Sequence, residues 1–254
     1  LHKLGYTVYA AARRTDRLEQ LATIGIHALT MDVTDNESMT SGIEKIITET
    51  GHIDVLINNA GYGSYGAIED IPMDEARHQF EVNVFGLARL IQLVLPYMRA
   101  QRSGTIINIS SVGGRLTNPL GGWYHASKHA VEALSDALRM ETAPFGIDVV
   151  VIQPGGIRTE WPGITADHLE ETAEGSAYAA QVEAVAGWMR SESTAKRLSP
   201  PSVIADTVKK IVTARKPHTR YVVGFGGKPL LILRRILPDR AFDYVVSIVF
   251  GVRR

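Results

Sequence analysis

Residues 104–128 read GTIINISSVGGRLTNPLGGWYHASK. An apolar run ends on Ser110 and Ser111, a Gly- and Pro-rich loop follows, and the segment closes with Tyr124 and Lys128 four residues apart. A near-continuous apolar run suits a strand buried on both faces, as in a parallel sheet covered by helices. A spacing of four puts Tyr124 and Lys128 on one helical face, where an ammonium near a phenol favours its ionised form. Ser111 stands thirteen residues ahead of Tyr124, a loop long enough to return the chain to the same crevice. Polar groups at the carboxyl end of a parallel strand lie where open α/β sheets bind ligands.

The same rhythm extends in both directions. Residues 6–12, 26–33, 53–61, 147–156 and 219–226 read as further strands, and 36–50, 74–100, 124–143 and 202–214 carry helical spacing. Asn36 and Asp74 are candidate N-caps. The alternation predicts one α/β domain over residues 1–254, a doubly wound, mostly parallel sheet in three layers. Residues 157–201 break the rhythm with Glu, Ala, Ser and aromatic residues, as expected of a lid inserted over the strand ends. The tail, 229–254, is apolar but broken by Pro238 and charges, well short of the roughly 20 residues that cross a bilayer.

The chain has 254 residues, 45% of them hydrophobic, enough to bury a sizeable core. Lys plus Arg and Asp plus Glu are both 27, so no net field draws it to nucleic acid, which is not expected as a partner. The absence of cysteine excludes disulfides and thiolate chemistry and fits a reducing cytoplasm. His125 and His129 lie four apart with no carboxylate nearby in sequence, so no metal site is expected.

Each remaining signal is weak by itself. NNAG (58–61) ends one strand, Asn83 interrupts an apolar helix in FEVNVFG, MDV (31–33) ends another strand, and PGG (154–156) follows a third. A mid-helix Asn also suits a satisfied core amide, PGG a plain turn, and Tyr124 with Lys128 a half-exposed helix pair. NNAG, the helix Asn83, NISS (108–111), Tyr124 with Lys128, and PGG, in chain order and at these spacings, together resemble the short-chain dehydrogenase/reductase family over residues 1 to about 226. Bacterial members described simply as oxidoreductases resemble it further, in YVVGFGGKP (221–229) and the Leu- and Arg-rich tail.

The resemblance implies a Rossmann-like fold and an oxidoreductase moving hydride between a nicotinamide and a carbonyl/alcohol pair. It makes Tyr124 the general acid or base, Ser111 the hydrogen-bond partner of the reacting oxygen, Lys128 the group that lowers the Tyr124 pKa and holds a ribose, and Asn83 the anchor of a relay water. It implies cofactor contacts at Asp32, Val33, Asn59, Ala60, Gly61, Pro154, Gly155, Ile157 and Thr159, besides Tyr124 and Lys128. The glycines after Pro154 would admit the nicotinamide closely. Arg13 and Arg14 stand where NAD-preferring relatives carry an acidic residue, so NADP is expected before NAD; the alternative is a pair of solvated turn charges. Trp123, Trp161, Tyr178, Trp188 and Met189 point to an apolar pocket and a lipophilic substrate, or to a plain lid core. The resemblance also implies a homodimer or homotetramer, for which the tail offers a surface; a peripheral membrane contact with Arg234, Arg235, Arg253 and Arg254 at the headgroups is the alternative.

The opening LHKLGYTVYAAARR (1–14) resembles the back half of the family's first helix followed by its second strand. Roughly 25 residues, holding the first strand and its Gly-rich turn, are then expected upstream. Without that central strand of the 3-2-1-4-5-6-7 order, a slot of about 10 Å is expected between strands 6–12 and 53–58. GFGG (224–227) offers no substitute, since Pro229 follows and no helix start is evident. The missing turn keeps a second function open: a non-catalytic binding or interaction protein with this fold.

Overall fold

A computed structural model describes residues 1–252, the side chain of Arg17 excepted. Six parallel strands occur among these residues: β1 (Tyr9–Ala12), β2 (His27–Thr30), β3 (Val55–Asn58), β4 (Gly104–Ile109), β5 (Ile147–Pro154) and β6 (Arg220–Val223). The helices are α1 (Thr15–Ala22), α2 (Asn36–Thr50), α3 (Met73–Phe80), α4 (Leu87–Gln101), α5 (Gly122–Thr142), α6 (Trp161–Glu171), α7 (Ala179–Arg190), α8 (Glu192–Arg197), α9 (Ser202–Val212), α10 (Gly227–Ile236) and α11 (Asp239–Val249). The architecture is α/β, doubly wound and Rossmann-like, as the sequence predicts.

The ladders fall into two groups. β1 pairs with β2, and β3, β4, β5 and β6 pair in that order; among the described residues no ladder joins β1 to β3. That break lies where the slot is expected. Both groups nonetheless share one helix-covered core, in which Leu29 and Met31 pack with Ile43, Leu87, Val94, Ile106 and Val149. The opposite face of the larger group packs Ile107, Val150 and Ile152 on Val208 and Ile211 of α9, with Leu1 at its margin. Each ladder is shorter than its apolar run: β1 begins at Tyr9, not residue 6, and β3 stops at Asn58. The polar residues that end the runs therefore leave the sheet as loops.

Several boundaries differ from expectation for identifiable reasons. Asp35, not Asn36, caps α2, accepting from Glu37 N at 2.9 Å and Ser38 N at 3.3 Å. Asp74 lies inside the first turn of α3, whose cap is Pro72, so its carboxylate acts there on the helix dipole. The predicted helix over 74–100 contains a π turn at Glu81–Gly86, which adds a residue and lets the chain bulge. A Cβ on Gly86 would stand 2.3 Å from the carbonyl oxygen of Val33, so only glycine lets the π turn pack against the exit of β2. The opening forms a short 3-10 turn at His2–Leu4 instead of a helical half, ended by Gly5 at φ 87. GFGG does lead into a helix, α10, with Pro229 in its first turn, where its missing N–H costs nothing.

The tail differs too. Leu230, Leu231, Leu233, Leu237, Phe242 and Val246 pack on one another and on Val112 and Leu116, so much of its apolar content serves the body of the same chain. Ile232, Ile236, Tyr244, Ile248 and Val249 remain exposed. Arg234 lies on Asp239 at 2.8 Å and over the Phe242 ring, and is thus engaged within the tail. Arg253 and Arg254 lie outside the described residues. No helix among the described residues is long and apolar enough to cross a membrane.

Candidate active site

The carboxyl ends of β3, β4 and β5 converge on the start of α5. Asn58 and Asn108, opposite each other in register, form a buried ladder: Asn58 Nδ2 donates to Asn108 Oδ1 at 2.9 Å, and Asn108 Nδ2 donates to Ser135 Oγ of α5 at 2.9 Å. Asn58 opens the NNAG motif and Asn108 lies in NISS, and the sequence assigns neither side chain a role; an Asn at the same place in two apolar runs is the signal for this pairing. They fix α5 against the sheet and so set the height of Tyr124 and Lys128 above it.

Tyr124 occupies the first turn of α5 and is 9% exposed. Burial holds the phenol above its ordinary value and outweighs the opposing influence of the neighbouring Ser111 hydroxyl. This is opposite to the direction expected from Lys128, because Lys128 is turned to the sheet: its Nζ donates to Ile109 O at 2.9 Å. Burial lowers the Lys128 ammonium to about 8, opposed by Glu132 one turn further on. Ser111 Oγ accepts from Gly113 N at 3.0 Å and reaches Pro154 O at 3.5 Å, so the hydroxyl bridges the loop after β4 and the end of β5. Leu120, in the same loop, holds a left-handed φ of 64, and its carbonyl accepts from Gly66 N at 2.8 Å.

Asn83 lies in the π turn, almost fully buried. Its Oδ1 accepts from Tyr62 N at 3.0 Å, and its Nδ2 donates to Tyr62 O at 2.9 Å and Ser127 Oγ at 3.0 Å. The side chain therefore ties the loop after β3 to the residue before Lys128, and its capacity is taken up by protein. Gly61 fits between: a Cβ there would stand 3.1 Å from Asn83 Oδ1 and 3.4 Å from Lys128 Nζ. Asn59, Ala60 and Gly61 are exposed beside that lysine.

Arg13 and Arg14 are exposed at the end of β1, and Arg14 precedes the first turn of α1. Asp32 follows β2, and its carboxyl lies below the ordinary value, chiefly through the Thr34 N–H at 2.9 Å, with the Arg13 charge contributing. Val33 packs into the core against the π turn. Pro154 ends β5, but the need for Gly155 is internal: a Cβ there would meet Phe225 O at 2.6 Å and Gly227 N at 2.9 Å. Close approach at PGG is thus to the turn between β6 and α10. Ile157 bridges to Ser199, and Thr159 Oγ1 accepts from Trp161 N at 3.2 Å, steering the chain into α6.

Residues 157–201 supply an apolar wall. Trp161 lies 5.6 Å from the Tyr124 ring and 5.9 Å from that of Tyr65, centroid to centroid, and Leu169, Val182, Val185 and Met189 complete the packing. Tyr178 and Trp188 flank it, the Trp188 ring tilted against Phe250 from the tail at 4.5 Å between centroids. Arg190 pairs with Asp167 and Glu170, holding α7 to α6. Trp123 faces elsewhere, edge-on to Phe80 in a groove with Met73 and Phe85, so it lines no part of this wall. Successive helix residues point about 100° apart, which separates Trp123 from Tyr124.

Residues 1–169 match the model of the family described as short chain dehydrogenase. Among curated proteins, the probable short-chain type dehydrogenase/reductase VdlC of Helicobacter pylori is 36% identical over 96% of this chain and 89% of its own length. The 3-ketodihydrosphingosine reductase of Bacteroides thetaiotaomicron is 36% identical over 100% of this chain and 92% of its own. Among solved structures, a short-chain dehydrogenase from Streptomyces avermitilis superposes with a TM-score of 0.77 at 30% identity, covering 99% of this chain and 92% of that one. The chain belongs to the short-chain dehydrogenase family of oxidoreductases.

Proposed function

We propose that this protein is an NADP-dependent oxidoreductase acting on the carbonyl/alcohol pair of a lipophilic substrate. The observation that carries the reading is the nearness of Ser111 to the buried Tyr124 at the end of β4, under the apolar wall from residues 157–201. The nicotinamide, when bound, supplies or takes up the hydride. Tyr124 protonates the carbonyl oxygen in reduction and accepts the alcohol proton in oxidation; a phenol held above its ordinary value favours the acid role at neutral pH. Ser111 donates to the same oxygen as charge develops on it. Lys128, already bonded to Ile109 O, has two further N–H groups for a ribose beside Gly61. Asn83 keeps that lysine and the Tyr62 loop in register, and a relay water would be held by its backbone, since its side chain is engaged.

Asn59, Ala60, Gly61, Asp32 and Val33 line the adenosine side, and Pro154, Gly155, Ile157 and Thr159 the nicotinamide side. Arg13 and Arg14 take a 2′-phosphate, which favours NADP over NAD. Residues 157–201 act as the substrate lid within a single domain. A lipophilic substrate is supported by Tyr65, Trp161, Leu169 and Met189 around Tyr124, and by the 3-ketodihydrosphingosine reductase among the relatives. The exposed face of α10 and α11 serves a homodimer or homotetramer in the cytoplasm, with lipid contact as the alternative use of Ile232, Ile236 and Tyr244.

The test is oxidation of NADPH and of NADH over a panel from short and long aliphatic ketones to cyclic ketones and ketose sugars. Turnover of the apolar members with NADPH, lost in Tyr124→Phe, is expected. Neither cofactor bound by fluorescence, and no turnover, would leave the non-catalytic binding role instead.

A further inference from the structure

The ring of His125 is 2% exposed and belongs to none of the roles above, yet it touches both ends of the loop that carries Ser111. Its Nδ1 lies 2.9 Å from Gly113 O, and its Nε2 lies 3.2 Å from Asn118 N and 2.9 Å from the atom placed as Asn118 Oδ1. We infer that His125 is a positioning residue for the reaction proposed above, holding the 111–121 loop through Gly113 and Asn118 so that the Ser111 hydroxyl hydrogen faces the reacting oxygen. The inference rests on that reading of Ser111 and Tyr124.

The hydrogen-bond directions follow from the partners. Gly113 O can only accept, so Nδ1 carries the proton. Asn118 N–H can only donate, so Nε2 is the bare nitrogen, and burial, which pushes the imidazole down to about 4, keeps it neutral. A bare nitrogen cannot face a carbonyl oxygen, and amide O and N are told apart only by their partners, so the Asn118 NH2 occupies the position beside Nε2. One directed chain results: Asn118 to His125, His125 to Gly113 O. The same peptide's neighbour, Gly113 N–H, donates to Ser111 Oγ at 3.0 Å and occupies one of its lone pairs. The Ser111 hydrogen is left with Pro154 O at 3.5 Å, a long contact that the carbonyl to be reduced can replace.

The fit allows little else at this position. A Cβ on Gly113 would stand 2.6 Å from Nδ1, and one on Gly121 2.7 Å from Nε2, so two glycines leave the space the ring fills. The ring packs edge-on against both Tyr124 at 5.5 Å and Tyr65 at 6.2 Å. Removing it would loosen the loop without touching cofactor or substrate directly.

The experiment compares His125→Phe, which keeps the ring and loses both polar contacts, with His125→Asn, whose amide can replace the Nδ1–H donor. Both are read beside Tyr124→Phe, with NADPH and the ketone turned over fastest in the panel. His125→Phe is expected to lower kcat roughly 10- to 100-fold with KM and NADPH binding little changed, and His125→Asn to recover most of it. Hydrogen exchange at Gly113 N–H should accelerate in His125→Phe and stay slow in His125→Asn. Nitrogen NMR of ring-labelled wild type should show a neutral ring protonated on Nδ1 at neutral pH. Wild-type kcat or Gly113 exchange in His125→Phe, equal losses in both variants, or an imidazolium in the wild type would overturn the inference while Tyr124→Phe still tests the site. A wild type no more active than Tyr124→Phe would overturn both.

Discussion

Around Ser111, Tyr124 and Lys128, at the ends of β4 and β5, the polar groups are buried and bonded to protein before any ligand arrives. At the ends of β1 and β2, Arg13 and Arg14 stand in solvent on a two-stranded ladder. The difference matches the roles proposed for the two ends. Groups aimed at a developing charge act best when fixed in advance, since reorganisation then costs nothing during the reaction. Groups that grip a phosphate can be ordered by the ligand itself, because a forked guanidinium contact is strong once formed. Tight packing accordingly surrounds the first set, and the second remains exposed.

That contrast is open to direct attack. Tyr124→Phe keeps the ring and removes the proton, so turnover should fall about 10²- to 10⁴-fold with NADPH binding unchanged by fluorescence titration. Equal activity would show that the buried end is not the reacting end. Arg220→Ala should cost about 3–5 kcal/mol in a denaturant melt, because it leaves Glu132, 5% exposed and bonded at 3.0 Å, without its cation. The paired Asp136, at 2.6 Å, loses a partner in the same variant but retains Arg139.

A pH titration sharpens the contrast further. His125 takes up its proton near 4 when folded and near 6.5 when unfolded, so between these values the unfolded chain binds more protons. The contribution of the buried neutral ring is complete above pH 6.5 and declines as pH falls towards 4, by roughly 3 kcal/mol in all. His125→Phe should flatten the stability profile over that window. A profile no flatter would mean that the ring is less buried than its partners imply.

On the exposed side the effects should be smaller and confined to binding. Arg13→Ala should raise the KM for NADPH about 10- to 100-fold and leave that for NADH unchanged, as expected for a lost charged hydrogen bond of roughly 1.5–3 kcal/mol. A parallel loss for both cofactors would remove the 2′-phosphate assignment. Tyr9→Phe deletes an exposed bond to Glu49 at 2.6 Å and should shift stability by no more than about 0.5 kcal/mol. A large loss there would mean that the two-stranded ladder is as tightly built as the rest.

Much of the plan is legible in the primary structure, because apolar period and residue order survive in one dimension. The alternation of apolar runs with helical spacing predicts the parallel α/β architecture, and Asn83, Ser111, Tyr124 and Lys128 are named from motif and order before any coordinates. Direction and occupancy are different properties. Whether Lys128 turns to Tyr124 or to Ile109 O depends on a backbone carbonyl nineteen residues away. The reason for Gly155 lies at Phe225 and Gly227, and that for Gly86 at Val33. Trp123, adjacent to Tyr124, faces Phe80 because of its place on the turn of α5.

Residue types and their spacing thus determined the class of scaffold and pointed to the oxidoreductase family, since both depend on local pattern. Only the folded chain decided how strongly each group is charged, which donors are already spent, and that a histidine beside Tyr124 secures the loop of Ser111. Those outcomes depend on desolvation and on partners far away in sequence, and neither is a property of the residue's neighbours along the chain.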